Sequence, residues 1–254
     1  MLTKIQIEHY REKGYVIPDY CIRGPILREI REKHSRVIHN HPEYRDNCPD
    51  LLSYDPTFIK YAQDSEILNM ATQLIGPNIA LWNMSFFAKP AKNGKKTPWH
   101  QDGQYWPIRP LATCTVWIAI DSATRENGCM QFIPGSHKEK KILKHNQKNN
   151  EDYTLQQELQ SDQIDKTKAI DVILSPGQIS LHDVYLAHGS DVNSSKNPRR
   201  GMTLRLMPTS SVYDYQLAHS LYKERGDYDG SKRKLYLMRG IDQQGKNNCN
   251  NLPN

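Results

Sequence analysis

The chain has 254 residues, of which 37% are hydrophobic and 24% charged, a composition that can bury a core without disulfides or a structural metal. The five cysteines form no CxxC pair, which argues against a disulfide framework or a zinc ribbon. No apolar run approaches the ~20 residues of a membrane span, no secretory signal is present, and the net charge of +6 is mild and dispersed, so we expect a cytoplasmic protein with neither membrane nor nucleic-acid partners.

The predicted elements change character along the chain. Thr3 could cap a helix that stops near Gly14, and residues 25–38 and 65–74 also have helical spacing. Beyond these, short apolar or alternating runs between Pro, Gly, Asn and Asp are typical of strands; they cover residues 79–87, 113–120, 130–133, 169–174, 178–186 and 201–207. A helical lead-in followed by many short strands predicts a mainly β fold, a jelly roll with α-helices packed outside.

A polar segment interrupts the strand region. Residues 138–168 are predicted to form an inserted loop with one helix near residues 155–159, and the tail after Gln244 is expected to be poorly ordered. We therefore expect a single domain over residues 1–254. Its parts are a helical lead-in over 1–78, a jelly-roll core over 79–210 and a C-terminal extension over 211–254.

The segment TPWHQDGQYWPIRP, residues 97–110, carries the first candidate metal ligands. His100 and Asp102 are two residues apart, so on a strand they project from the same face. A His-X-Asp tripeptide alone is weak evidence, but His188 supplies a second imidazole later in the chain. Two histidines and one carboxylate form a facial triad for non-haem Fe(II), leaving positions for a chelating co-substrate and dioxygen.

A basic pair follows His188 at a distance that suits a co-substrate anchor. A 2-oxoacid that chelates iron has a far carboxylate, and arginine is its natural two-pronged donor. Arg199 lies 11 residues beyond His188 (199 minus 188), enough for one strand to end and the next to begin. Ser190 would face the same way as His188. Arg200 and Arg205 compete for this role, but spacing and strand parity favour Arg199.

These segments resemble a known family. WHQDGQYWPIRP, VWIAIDSATRENGCMQFIPGSHK and HGSDVNSSKNPRRG are similar, in order and spacing, to the phytanoyl-CoA dioxygenase-like branch of the Fe(II)/2-oxoglutarate oxygenases. The resemblance implies a double-stranded β-helix that binds Fe(II), 2-oxoglutarate and O2, with ascorbate as an accessory reductant. It implies iron ligation and co-substrate binding by matching residues: His100, Asp102 and His188 for iron, and Arg199, Ser190, Trp117 and Gln101 for 2-oxoglutarate.

The same comparison bears on the reaction. Halogenating relatives replace the carboxylate ligand with a small residue, whereas Asp102 is present here. The resemblance therefore implies hydroxylation, or another oxidation, of a small molecule rather than chlorination. Tyr105, Trp106 and Lys89 are candidates for the substrate pocket, although a core role for the aromatic residues and a solvated lysine are the alternatives. His182 is interpreted as a core or edge histidine.

Two other functions are compatible with parts of the pattern. A non-catalytic metal-binding β-sandwich, acting as a sensor or ligand-binding module, would need the triad but not Arg199 and Ser190. A nucleic-acid demethylase would need a concentrated basic face and a base-stacking platform, and the sequence shows neither clearly. An Fe(II)/2-oxoglutarate-dependent hydroxylase, an oxidoreductase, is the favoured prediction.

Overall fold

The computed structural model describes residues 1–148, 150–225, 228–250 and 252. The α-helices are α1 Lys4–Lys13, α2 Gly24–Asn40, α3 Leu51–Tyr54, α4 Ile59–Ala62, α5 Ser65–Ile75 and α6 Tyr215–Arg225. The strands are β1 Tyr15–Val16, β2 Asn47–Cys48, β3 Ile79–Lys89, β4 Thr97–His100, β5 Ile108–Arg109, β6 Cys114–Ala119, β7 Met130–Phe132, β8 His145–Gln147, β9 Gln157–Leu159, β10 Ile170–Val172, β11 Ile179–Asp183, β12 His188–Ser190, β13 Arg199–Pro208, β14 Val212–Tyr213 and β15 Tyr236–Arg239. None of the helices in these ranges has the length and apolar character to cross a membrane.

The first helix begins and ends where its sequence predicts. The Thr3 hydroxyl accepts a hydrogen bond from the Gln6 backbone N–H, and the Gln6 side chain accepts from the Thr3 N–H, which completes a capping box. Gly14 ends the helix at φ 85°, in the left-handed region where glycine has no steric penalty. The chain then enters β1, which pairs with β11.

Two antiparallel sheets form the body of the molecule. The larger sheet has the order β1-β11-β6-β13-β3-β15, with β2 also paired to β3, and the smaller has the order β10-β7-β12-β4. Neighbouring strands are distant in sequence, as when β13 lies between β6 and β3. This arrangement confirms the predicted mainly β fold with helices outside it.

Strand β13 separates the apolar core from the interior between the sheets. Met202, Leu204 and Leu206 are fully buried in the cluster that also holds residues of α2 and α5. The odd-numbered side chains point the other way, and Arg199, Thr203 and Arg205 border cavities between the sheets. One strand thus joins the helical layer to the polar interior.

The polar insert differs from its prediction. Residues 157–159 form β9, which pairs with β8 in a hairpin, so the helix predicted near residues 155–159 is wrong. The insert is held by Lys96, which lies just before β4 and forms an isolated bridge with Tyr153. The Lys96 N–H donates to Asp152 O at 3.1 Å, and the Thr154 N–H donates to Lys96 O at 2.9 Å. The hairpin itself is a separate two-stranded sheet.

The C-terminal segment is also more ordered than predicted. Asn247 is buried, and its side chain donates to Ser211 O at 3.0 Å and accepts from the Tyr213 N–H at 3.1 Å. The prediction of poor order after Gln244 is therefore wrong for residues 245–250. For Asn251, Pro253 and Asn254 it lies outside the described residues.

Candidate metal centre

The predicted triad is brought together where the smaller sheet meets the molecular interior. His100 ends β4 and is the registered partner of His188 at the start of β12. Gln101 is extended, at φ −113° and ψ 131°, so Asp102 returns to the face of His100. Asp102 Oδ1 lies 3.7 Å from His100 Nε2 and 4.0 Å from His188 Nε2. All three side chains are buried, with their ligand atoms within 4.8 Å of one another.

The outer hydrogen bonds fix which atoms face the centre. His100 Nδ1 donates to Pro98 O at 2.8 Å, and His188 Nδ1 donates to Leu186 O at 2.9 Å. Since a carbonyl oxygen only accepts, each Nδ1 holds the proton and each Nε2 presents a lone pair. The Nε2–Oδ1 separations are too long for hydrogen bonds, so the two Nε2 atoms and Oδ1 direct their lone pairs at a common point between them. This donor set fits a divalent transition metal.

Burial and charge give the triad the protonation states that a metal requires. Burial raises the pKa of Asp102, but the facing imidazoles of His100 and His182 outweigh that effect and hold the pKa well below its usual value. Burial lowers the pKa of His188 well below the usual range. Thr115 Oγ1 also donates to Asp102 Oδ2, at 3.2 Å. A carboxylate and a neutral imidazole result.

His182 lies against the triad rather than elsewhere in the core. It is buried on β11, with Nε2 3.6 Å from Asp102 Oδ2 and its ring centre 5.0 Å from that of His188. Among the described residues, neither of its ring nitrogens has a hydrogen-bond partner. It is thus a core histidine, as interpreted from sequence, but one that touches the candidate metal ligand Asp102.

An inner cavity of about 40 Å³, bordered by Trp117, Ser190 and Arg199, opens beside the triad. Arg199 is only 2% exposed, and its guanidinium carbon lies 5.5 Å from the Trp117 ring centre. Burial lowers the pKa of Arg199 to about 10, which leaves it protonated at neutral pH. Arg200 points to the opposite face and forms a two-pronged ion pair with Asp121 at 2.7 and 2.9 Å.

A glycine makes room for this arrangement. Gly201 faces Trp117 from the neighbouring strand, and a Cβ at this position would overlap the indole ring. The sequence analysis missed this residue, although a glycine in a strand interior signals close approach of another group.

An outer chamber of about 160 Å³ lies on the other side of His100 and Asp102. Tyr105 and Trp106 border it, which places both near the metal centre. Its other aromatic and cationic walls include Trp82, Phe87, Arg205, Tyr213, Tyr228 and Arg233. The sequence analysis did not find Trp82, Tyr228 or Arg233, because distant segments supply them and no local motif marks them.

Two predicted site residues point elsewhere. The Gln101 side chain donates to Tyr185 O at 2.7 Å and Lys141 O at 3.1 Å, and accepts from the Leu143 N–H at 2.7 Å. Adjacent extended residues face opposite sides, so the Gln101 side chain points away from the co-substrate and forms hydrogen bonds with the insert. This corrects the role taken from the family.

Lys89 is the second of these residues. It is fully buried, its ammonium donates to Lys95 O, and it borders a separate cavity with His34 and Arg200. It lies outside both the inner cavity and the outer chamber, which corrects its assignment to the substrate pocket. Burial lowers the pKa of Lys89 well below its usual value. The alternative expectation, that Lys89 is exposed to solvent, is also wrong.

Two imidazoles and a carboxylate inside a jelly roll define the class of non-haem iron oxygenases. Within that class, the chain belongs to the phytanoyl-CoA dioxygenase (PhyH) family, whose model matches residues 10–201. It is 30% identical over 237 residues to a probable phytanoyl-CoA dioxygenase of Caenorhabditis elegans, covering 80% of this chain and 74% of that one. It spans about half the length of other curated relatives, including the human peroxisomal enzyme.

Solved structures agree on the fold. The non-haem monooxygenase ThoJ superposes with a TM-score of 0.74 at 22% identity, covering 98% of this chain and 87% of that one. EvdO2 of Micromonospora carbonacea var. aurantiaca, complexed with 2-oxoglutarate, gives 0.69 at 22% identity, covering 82% and 91%. Family membership confirms the predicted enzyme class, an iron- and 2-oxoglutarate-dependent oxidoreductase, and with it the predicted iron and 2-oxoglutarate.

Proposed function

We propose that the chain hydroxylates a small-molecule substrate while 2-oxoglutarate and O2 are converted to succinate and CO2, and that residues 1–254 act as one oxygenase domain. One oxygen atom goes to the substrate and the other to succinate. His100, Asp102 and His188 would hold Fe(II), which supplies the redox chemistry with dioxygen. Arg199, Ser190 and Trp117 would hold 2-oxoglutarate.

The observation that carries this proposal is the isolation of Arg199. Its Nε has no hydrogen-bond partner and its guanidinium forms no ion pair within the described part of the chain. A buried charge is costly unless an anion meets it. The far carboxylate of a co-substrate chelated at the triad would supply that anion. A metal-binding sensor has no need of such a residue.

Asp102 supports hydroxylation as the outcome. Its buried carboxylate lies 3.7 and 4.0 Å from the Nε2 atoms of His100 and His188, so it would occupy the third protein position at the metal. A halide would need that position to be vacant. An acidic side chain there favours transfer of oxygen to the substrate.

The direct test is anaerobic titration with Fe(II) and 2-oxoglutarate, followed through the weak visible charge-transfer band of the chelate. Wild type should develop the band at micromolar 2-oxoglutarate, and Arg199→Ala should need at least ~100-fold more, because a charge-assisted two-pronged contact is lost. Arg200→Ala is the matched control, since it removes the adjacent arginine from the opposite face.

Two results would contradict the assignment. One is the absence of any band in correctly folded wild-type protein. The other is an equal shift in the Arg199 and Arg200 variants, which would mean that loss of positive charge, and not a specific contact, controls binding. Succinate formation without added substrate would provide an independent check.

A further inference from the structure

The outer chamber combines apolar walls with buried positive charge. Its aromatic side chains surround Arg205, whose guanidinium carbon lies 5.0 Å from the Trp106 ring centre, 5.6 Å from Phe87 and 5.8 Å from Trp82. Such cation–π contacts hold the group in place and leave its N–H edge directed for hydrogen bonding. The chamber is therefore preorganised around one cation.

Arg205 lacks an acidic partner among the residues that the structure describes. It is 9% exposed, its Nη1 donates to Asn83 Oδ1 at 3.1 Å, and its Nε has no acceptor in that part of the chain. Within the described residues it forms no ion pair at 4.0 Å or less. Burial lowers the pKa of Arg205 and the charge of Asp102 partly opposes this effect, but Asp102 already accepts a hydrogen bond from Thr115 and belongs to the proposed metal centre. Bound metal would offset that charge and leave Arg205 without compensation.

The neighbouring guanidinium makes this imbalance larger. Arg233 borders the same chamber, and its Nη1 lies 3.5 Å from Asp50 Oδ1. Asp50 also accepts from the Tyr228 hydroxyl and, at 2.7 Å, from Ser53. Asp50 is thus shared among several donors, and neither Arg205 nor Arg233 has a hydrogen-bond partner for its Nε in the described residues.

Other arginines of the chain form ion pairs with acidic side chains. Arg200 has Asp121, and Arg125 has Asp171 at 2.5 Å. Arg199 and Arg205 are buried without an acidic partner in the described ranges, and both face the interior from β13. Arg199 borders only the inner cavity, whereas Arg205 also borders the outer chamber. The second unmatched cation therefore calls for a second anion, on the substrate side.

We propose that the substrate carries a compact anionic group, a carboxylate or a phosphate-type oxyanion, which Arg205 binds in the outer chamber. The proposal rests on the function proposed above, because the 2-oxoglutarate charge is assigned to Arg199. The free edge of Arg205 would donate to the anion, with Arg233 adding positive charge. The aromatic walls would hold an apolar or aromatic body beside His100 and Asp102. The substrate is thus a small amphipathic acid.

The test is isothermal titration calorimetry on full-length protein loaded with Mn(II) and saturating 2-oxoglutarate, so that acid probes meet only the outer chamber. The probes are hydrocinnamate and hexanoate, each paired with its neutral amide, and phenylphosphonate. We expect at least one acid to bind wild type at least ~10-fold more tightly than its amide or, for the phosphonate, than its diethyl ester. Comparing carboxylates with the phosphonate distinguishes the two sources of charge.

Variants separate a contact from a general charge effect. Arg205→Met keeps much of the side-chain volume, and it should remove the preference for acids; Arg205→Lys should restore part of it. Arg200→Met, a matched loss of one charge on the outer face, should leave that preference intact.

The results that overturn this proposal differ from those that overturn the proposed function. Failure of wild type to bind 2-oxoglutarate at all contradicts the function itself. With 2-oxoglutarate bound, equal binding of acids and amides, or no binding of any acid, refutes the acidic substrate alone. Loss of the 2-oxoglutarate charge-transfer band in Arg205→Met would assign Arg205 to the co-substrate and also refute it.

Discussion

At the scale of single residues, close packing around Trp117 sets the shape of the inner cavity. Gly201 leaves the space that the indole occupies, and the indole in turn lies beneath the Arg199 guanidinium. A one-carbon change on β13 would therefore move two side chains of the proposed co-substrate site. Interiors are packed too tightly to absorb such a change without displacement.

Gly201→Ala should weaken 2-oxoglutarate binding by at least ~10-fold and destabilise the fold by about 1–3 kcal/mol, because overpacking shifts the indole. The charge-transfer titration measures the first effect and urea unfolding the second. Gly24→Ala is the control, since Gly24 is exposed and a Cβ there meets only an arginine tip at 3.7 Å. Unchanged 2-oxoglutarate binding in Gly201→Ala would show that the position of the Trp117 indole does not affect the co-substrate.

Residue patterns predicted the metal centre better than its surroundings. The pairing of His100 with Asp102 follows from strand parity, which is a local rule, whereas the distant His188 was chosen because Arg199 follows it at a suitable spacing. The direction of Gln101 follows from the same parity, but the family resemblance was given more weight. Arg205 was considered only as an alternative anchor for 2-oxoglutarate. Its place in the outer chamber depends on Trp82, Trp106 and Phe87, and sequence alone does not bring these together.

At the scale of elements, α1, α2, α5 and the long strands were predicted well, whereas α3, α4, α6, the insert and the tail were not. The helix of Thr3 has its own capping signals, and β3 has a long apolar run. The β8–β9 hairpin has a polar sequence without a marked period. Lys96 and Gln101, which flank β4, hold the segments on either side of this hairpin by hydrogen bonds to Asp152, Thr154 and Leu143. Tertiary partners, rather than propensity, decide such segments.

Helix α2 places a histidine where protonation opposes folding. His34 is buried against the large sheet, with its ring centre 4.4 Å from that of Phe86. Burial, aided by the charge of Arg200, lowers the pKa of His34 to about 4 from 6.5. The unfolded chain therefore binds a proton more readily than the folded one between these values, and stability is lost as pH falls from about 6.5 towards 4.

As the pH falls from about 7.5 to about 5, protonation of His34 in the unfolded chain should lower the free energy of unfolding of wild type by on the order of 2 kcal/mol. His34→Leu should lose less over the same interval, since it has no group to protonate. Urea unfolding at both pH values measures the difference. An equal loss of unfolding free energy in wild type and His34→Leu would show that groups other than His34 cause the acid sensitivity.

At the scale of the whole molecule, the two sheets hold His100, His188 and the proposed 2-oxoglutarate ligands, and Asp102 lies just beyond the end of β4, so ligand binding and global stability are linked. Saturating Mn(II) should raise the melting temperature, and 2-oxoglutarate should raise it by several further degrees. A ligand at about one hundred times its Kd contributes about 2.7 kcal/mol, and a chain of this size gains ~2–4 °C per kcal/mol. Differential scanning fluorimetry, with EDTA to remove the metal, measures both steps.

Arg199→Ala separates these two steps. It should keep the increase caused by Mn(II), because the triad is intact, and lose most of the increase caused by 2-oxoglutarate. A full 2-oxoglutarate effect in this variant, or one that persists in EDTA, would contradict the proposed chelate at the metal.

Strand β13 carries both unmatched arginines, with Arg199 and Arg205 six positions apart (205 minus 199) on one face. An extended strand fixes their backbone separation at roughly 20 Å, and the metal centre borders both cavities that they serve. The anion held by Arg205 would thus stand at a set distance from the metal. Regioselectivity would then be counted along the substrate from its acidic end, so that homologues one methylene longer would be oxidised at the same carbon as counted from the acid.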